Sequence, residues 1–188
     1  MATPQPINAH VVLRDATLED AALLVHWDQQ PHVISATTDD PNATDAFEGI
    51  CWPDELAAQN KHSHYVIAEL SGRPIGAMQI IDPHEEPTHY WGDIAANLRA
   101  LDIWIGETDC LGKGYGESMM RLAFMRCFSD PQVTAIMIDP LNSNTRAHRF
   151  YQRLGFEVVG RRQFDDDDCL VHKLRRQVWH KLFGSDAS

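Results

Sequence analysis

Apolar and polar positions change their period several times along the chain, and each change marks an element. His10–Asp15 alternates as a first strand, after which Thr17 and Asp20 form a capping pair that opens a helix to about Trp27. Gln29–Gly49 is polar and rich in Thr, Asp and Pro. This composition predicts a loop with a short helix near Asp45–Ile50, long enough to line a site. Trp52-Pro53-Asp54-Glu55, with Pro early and acids in the first turn, predicts a second helix ending near Asn60. Tyr65–Leu70 and Pro74–Ile81 are β-rich runs joined by Ser71-Gly72-Arg73, an antiparallel hairpin. A second long segment, Asp82–Arg99, leads into a strand at Ala100–Gly106.

Between that strand and the uninterrupted helical stretch Glu117–Phe128 lies Leu111-Gly112-Lys113-Gly114-Tyr115-Gly116. Alternate glycines let the chain turn tightly, so that successive N–H groups face an anion at the positive end of the helix. A Walker loop and a dinucleotide fingerprint both need other spacings, whereas a glycine-rich C-cap or hairpin turn would need nothing more than these residues. Val133–Ile138, Phe156–Arg162 and Cys169–Leu174 read as further strands, and Asn144–Leu154 as a helix. The order is β-α-α-β-β-β-α-β-α-β-β, an α/β (α+β) chain, with no repeat and no linker that would divide residues 1–188 into two domains.

The 188 residues suffice for a full core, and 44% are hydrophobic without a run of membrane-spanning length. Met1–Pro6 lacks the features of a signal peptide, so a cytoplasmic location is expected. With 27 acidic and 16 basic residues the formal charge is −11, which opposes a nucleic-acid partner and suits either a solvated acidic surface or the attraction of a polycationic small molecule. Cys51, Cys110, Cys127 and Cys169 contain no paired motif and read as isolated thiols. Ten histidines raise the question of a metal, but His62 and His64 alternate on a strand and no ligand cluster accompanies them, so no metal is expected.

The glycine loop, followed by Asn142-Ser143-Asn144-Thr145-Arg146-Ala147 and Phe150-Tyr151-Gln152-Arg153-Leu154-Gly155-Phe156, resembles the GNAT N-acetyltransferases over nearly the whole chain. Asp102 to Gly160 is most similar to the aminoglycoside 6′-N-acetyltransferases. The shared features are Asp102, the Asp130-Pro131-Gln132-Val133 and Asp139-Pro140-Leu141-Asn142-Ser143-Asn144 turns, and the acidic run Asp165–Asp168. Two departures stand out: Leu111 replaces the Gln or Arg usual three positions before Gly114, and Ser35–Asp45 lacks the tryptophan-rich stretch of that subfamily. The resemblance implies a mixed, mostly antiparallel sheet of six to seven strands flanked by about four helices, with splayed central strands holding acetyl-CoA. It also implies a cationic amine substrate, no membrane partner, and a monomer or homodimer.

For the cofactor, the resemblance assigns the diphosphate to the amides of Leu111, Gly112, Lys113, Gly114, Tyr115 and Gly116. The pantetheine arm goes to exposed backbone of Ile103, Trp104 and Ile105, with further contacts from Asn144 and Ala147. Asn144 is equally explained as an N-cap. Period-two alternation puts Leu101, Ile103 and Ile105 on one face of a strand and Asp102 with Trp104 on the other. A mid-strand carboxylate fits either a wet second face or a base that accepts the proton of an ammonium whose pKa is about 10. Tyr151 lies on the apolar stripe with Ala147, Phe150 and Leu154 and reads as a core aromatic; the resemblance makes it the acid that protonates the departing thiolate. Tyr90, Trp91, Asp93, Asp139 and Asp168 are the candidates for a polycationic sugar, although an Asp165–Asp168 run also suits a solvated turn and Trp52 suits a core anchor. The resulting expectation is acetylation of an aminoglycoside 6′-amine. The alternatives are acetylation of a polyamine, siderophore precursor or protein amine, and a non-catalytic acyl-CoA-binding module.

Overall fold

The structure, a computed structural model, describes residues 11–164 and 166–184. Strands β1 (Val11–Asp15), β2 (Ser63–Leu70), β3 (Arg73–Ile81), β4 (Leu98–Ile105), β5 (Ala135–Ile138), β6 (Glu157–Phe164) and β7 (Asp167–Arg175) form one sheet in the order β1-β2-β3-β4-β5-β7-β6. Neighbours are antiparallel except β4 and β5, which run parallel because helix α4 (Tyr115–Phe128) carries the chain back between them. His10, which opens the expected first strand, and Asp165, in the acidic run, lie outside the described residues.

Neighbouring strands are paired along most of their length except in the middle of the sheet. β4 stays on β3 as far as the Gly76–Ile105 pair, yet it meets β5 only through Leu98–Ala135, Arg99–Ile136 and Ala100–Met137. Beyond Ala100 the two strands part, so the rest of β4 has one main-chain edge without a strand partner. The sequence alternation of this strand holds. Leu101 joins the core formed with α4, including Met119, Met120 and Phe124, while Trp104 joins the opposite core with Leu24, Trp27 and Trp52.

Helices α1 (Ala21–Asp28), α2 (Pro31–Thr37) and α3 (Trp52–Ala57) cover that second face. The Thr17 and Asp20 pair starts a short 3-10 turn that continues as α1; the Asp20 carboxylate accepts from the Thr17 N–H at 2.8 Å and from Arg14 at 2.6 and 2.8 Å. The loop expected over Gln29–Gly49 needs correction. Its helix is α2, begun by Pro31 and buried through Val33, whereas residues 45–50 make only a turn that ends at Gly49 with φ +80°. Helix α5 (Thr145–Arg153) agrees with expectation. Helix α6 (Arg176–Phe183) was not anticipated, because it follows β7 with no intervening breaker; it docks through Trp179 against Phe128, with ring centroids 4.8 Å apart. Among the described residues, no helix is long and apolar enough to cross a membrane.

Candidate active site

The part of β4 that leaves β5 opens into a cleft of about 1460 Å³, reached by residues from every layer of the fold. At one end is the glycine loop. Gly112 at φ +71° and Gly114 at φ +84° adopt backbone conformations that side chains resist, and Gly114 caps α4. The 14-residue helix thus begins at the cleft, with the Glu117 N–H bonded to the Gly114 carbonyl at 3.1 Å, and Leu111, Gly112, Gly114 and Gly116 line the cleft. Lys113 is exposed outside the lining and Tyr115 packs against the core. Arg146, Arg149 and Arg153, at i, i+3 and i+7 on α5, also line the cleft, and Arg146 Nη2 lies 4.0 Å from where a Gly112 Cβ would be. This cationic face escaped the sequence reading, although its helical spacing was visible.

Along the free edge of β4 the three residues named for a pantetheine arm divide by parity. The Trp104 carbonyl crowds Gly76 on β3, so its main chain faces that strand and not the gap. Ile103 and Ile105 face the gap, and the Ile105 carbonyl there already accepts from His32 Nε2 at 2.9 Å. The side chain of Trp104 lies instead in an aromatic wall, 4.9 Å from Phe47 and 6.1 Å from Trp52; Trp52 in turn stands 5.3 Å from Tyr65. The wall is fixed from behind by Asp28, whose Oδ2 accepts from Trp52 Nε1 at 2.8 Å. Burial, only partly offset by that hydrogen bond, pushes Asp28 up to about 6.

Asp102 and Asp139 both line this cleft, Asp102 from β4 and Asp139 from just beyond β5. Burial first, and then the negative charge of Asp139, raises the Asp102 pKa above the usual carboxylate range. Asp139 is raised by burial against the opposing pull of a Tyr90 hydroxyl that donates to its Oδ2 at 2.9 Å. Tyr151 is buried beside them; loss of water, followed by the charges of Asp102 and Asp139, holds its phenol well above its ordinary value and therefore protonated. The helix that carries Tyr151 is anchored to β7 by a bond of 2.9 Å between His148 Nδ1 and His172 Nε2. Burial and then His148 depress the fully buried His172 to about 4. Asn144 caps this helix by accepting from the Ala147 N–H at 3.1 Å, and both residues line the cleft.

The remaining sequence candidates separate. Trp91 lines the cleft, although it is 3% exposed and its ring is built into the core around Phe164. Asp93 is exposed and does not line the cleft. Asp168 turns away into a pair of bonds with Arg161 at 2.6 and 2.7 Å and another with Asn142 at 3.0 Å. Asp167, one step along β7, lines the cleft and accepts from the Thr38 hydroxyl at 3.2 Å. Tyr65, Gln79, Glu55 and Glu86 line it as well and were not anticipated.

A helix N-terminus at one end of the cleft, an unpartnered strand edge leading from it and two carboxylates at the far end are the arrangement of an enzyme of acyl transfer to amines. The chain belongs to the GNAT acetyltransferase family, whose domain, described as Acetyltransferase (GNAT) domain, matches residues 16–164. It is similar to the aminoglycoside N(6′)-acetyltransferase type 1 of Klebsiella pneumoniae, with 30% identity over 93% of this chain and 87% of that protein. The N-hydroxyputrescine acetyltransferase of Acinetobacter baumannii is 22% identical over 92% of this chain and 81% of its own length. Among solved structures, aminoglycoside acetyltransferase AAC(6′)-Ib in complex with coenzyme A and kanamycin superimposes with a TM-score of 0.76. It shares 30% identity, covering 92% of this chain and 98% of that one.

Proposed function

We propose that this protein transfers the acetyl group of acetyl-CoA to a primary amine of an aminoglycoside, at the 6′ position. The observation that carries the reading is the meeting of Asp102 and Asp139 in one aromatic-walled cleft on the open edge of β4. The similarity to 6′-acetyltransferases over most of both chains supports the same acceptor. The glycine turn and the unpartnered edge fit an acyl-CoA: main-chain N–H groups of Gly112 to Gly116 would hold its diphosphate with Arg146, and Ile103 and Ile105 would pair with its amide arm. Acetyl-CoA supplies the acetyl group as an activated thioester. Asp102 binds the acceptor ammonium and takes its proton, which frees the nitrogen lone pair; its raised pKa makes it a stronger base than an exposed carboxylate. Asp139 supplies the second negative charge that holds the cation in place. Tyr151 gives the proton at its Oη to the sulfur as the C–S bond breaks, more readily once Asp102 has been neutralised, and regains one from the nitrogen, which sheds its second proton as the amide forms.

A thiol-release assay with acetyl-CoA tests the proposal across kanamycin-type aminoglycosides, linear polyamines such as spermidine, and lysine peptides. Turnover confined to the aminoglycosides, with the product acetylated at the 6′ nitrogen by mass spectrometry and NMR, is the expected result. Turnover confined to polyamines would transfer the site to the acceptor class of the N-hydroxyputrescine relative. Coenzyme A binding with no thiol release from any amine would reduce the protein to a binding module.

A further inference from the structure

Tyr90 is 45% exposed, yet it is held on three sides. Behind it the buried Glu86 carboxylate accepts from the Thr88 N–H at 2.7 Å, the Thr88 hydroxyl at 2.6 Å and the Tyr90 N–H at 2.7 Å. Its ring stacks on Phe164 with centroids 4.5 Å apart and planes 8° from parallel. Phe164 is itself backed by Arg162, whose Cζ lies 4.8 Å from that ring and whose Nη1 donates to the Trp91 carbonyl at 2.6 Å. This mount aims a single O–H group at Asp139 Oδ2, 2.9 Å away. Packing alone would not call for it, since a phenylalanine could stack equally well.

The bond acts on only one of the two cleft carboxylates. An ionised carboxylate accepts hydrogen bonds and a donor stabilises that form, so the hydroxyl favours the anion of Asp139. Among the described residues no hydrogen bond reaches the carboxylate of Asp102. We infer that Tyr90 is a positioning residue that keeps Asp139 as the lasting anion of the pair, so that the proton taken from the amine travels to Asp102. This rests on the proposed reading, in which Asp102 is the base.

The other groups facing Asp139 do not share this task. Asp102 from β4 opposes ionisation, and Tyr151 from α5 and Cys169 from β7 remain neutral, the thiol being pushed up to about 12 by burial and then by Asp139. Arg162 from β6 and the N–H of Asp139 itself favour the anion, and replacing the Tyr90 hydroxyl leaves both unchanged.

Carboxyl ¹³C NMR titration of aspartate-labelled protein, without substrate, provides the test. Wild type is compared with Tyr90→Phe, which keeps the ring on Phe164, and Asp102→Asn and Asp139→Asn assign the two resonances. The Asp139 midpoint is expected to rise by about one pH unit in Tyr90→Phe, as loss of a charge-assisted hydrogen bond implies. The upper step of the coupled pair should rise with it. With an amine that turns over, the acidic limb of kcat/KM should move to higher pH by a similar amount, while the Kd for coenzyme A stays within about twofold. An unchanged Asp139 titration overturns the inference, as does a uniform loss of rate with no movement of the limb. Failure of the wild type to acetylate any amine would instead count against the proposed reaction and would leave the NMR result to decide the role of Tyr90.

Discussion

Replacing Asp102 with asparagine should lower kcat/KM for the acceptor amine by about two to four orders of magnitude, the range attributed to a positioned general base. The Kd for coenzyme A should be unaffected, because the glycine loop and the β4 edge are main-chain features that the substitution leaves alone. The remaining activity should also lose the acidic limb that belongs to Asp102. In the wild type that limb should lie above the ordinary carboxylate range, since burial and then Asp139 favour the protonated form. Stability runs in the opposite sense. The folded protein binds this proton more tightly than the unfolded chain, so the stabilisation from protonation is fully present below the unfolded pKa and disappears as the pH rises through the folded one. Asp102→Asn should therefore gain stability relative to wild type on going from acidic to neutral pH, measurable by chemical denaturation at several pH values. A variant that kept near-normal kcat/KM would remove Asp102 from the reaction.

The second large effect concerns the end of the same strand. A Cβ at Gly106 would lie 2.1 Å from both Cγ and Cδ2 of Trp27, a ring with 0% exposure whose Nε1 is tied to Glu107 at 2.9 Å. Neither partner can retreat without opening the contact between α1 and the sheet. Gly106→Ala should cost about 3 kcal/mol, at the upper end of overpacking effects, and lower Tm by roughly 6–12 °C for a chain of this length. Gly160→Ala on the exposed edge strand β6 is the control: nothing lies within 4 Å of its Cβ, and its Tm should move by less than about 2 °C. Equal behaviour of the two variants would mean that α1 is not seated on the end of β4.

The features of the site that the sequence made legible were those set by local periodicity. Alternation around Asp102 placed it opposite Leu101 and Ile103, and the alternating glycines before a long helix marked the turn at Gly112 and Gly114. Parity and distance hid the rest. Asp167 and Asp168 are neighbours in the chain but point to opposite faces of β7, and the cross-strand register, which pairs Asp168 with Gln163 beside Arg161, decides which of them meets the cleft. Trp104 likewise has its main chain committed to β3. Tyr90 and Asp139 are 49 positions apart, and no pattern within the Asp82–Arg99 segment announces their bond. The seven-residue α2 was missed because it buries little beyond Val33, too few apolar positions to establish a helical period.

The proposed reaction requires the gap between β4 and β5 to bring a thioester to the Asp102 carboxylate. A crystal structure of the protein with coenzyme A and kanamycin tests it most directly. The diphosphate is expected on the amides of Gly112 to Gly116, the sulfur beside Ile103 and Ile105, and the 6′ nitrogen about 3 Å from an Asp102 oxygen, within hydrogen-bond reach. Coenzyme A bound elsewhere, or an amine held away from Asp102, would contradict it.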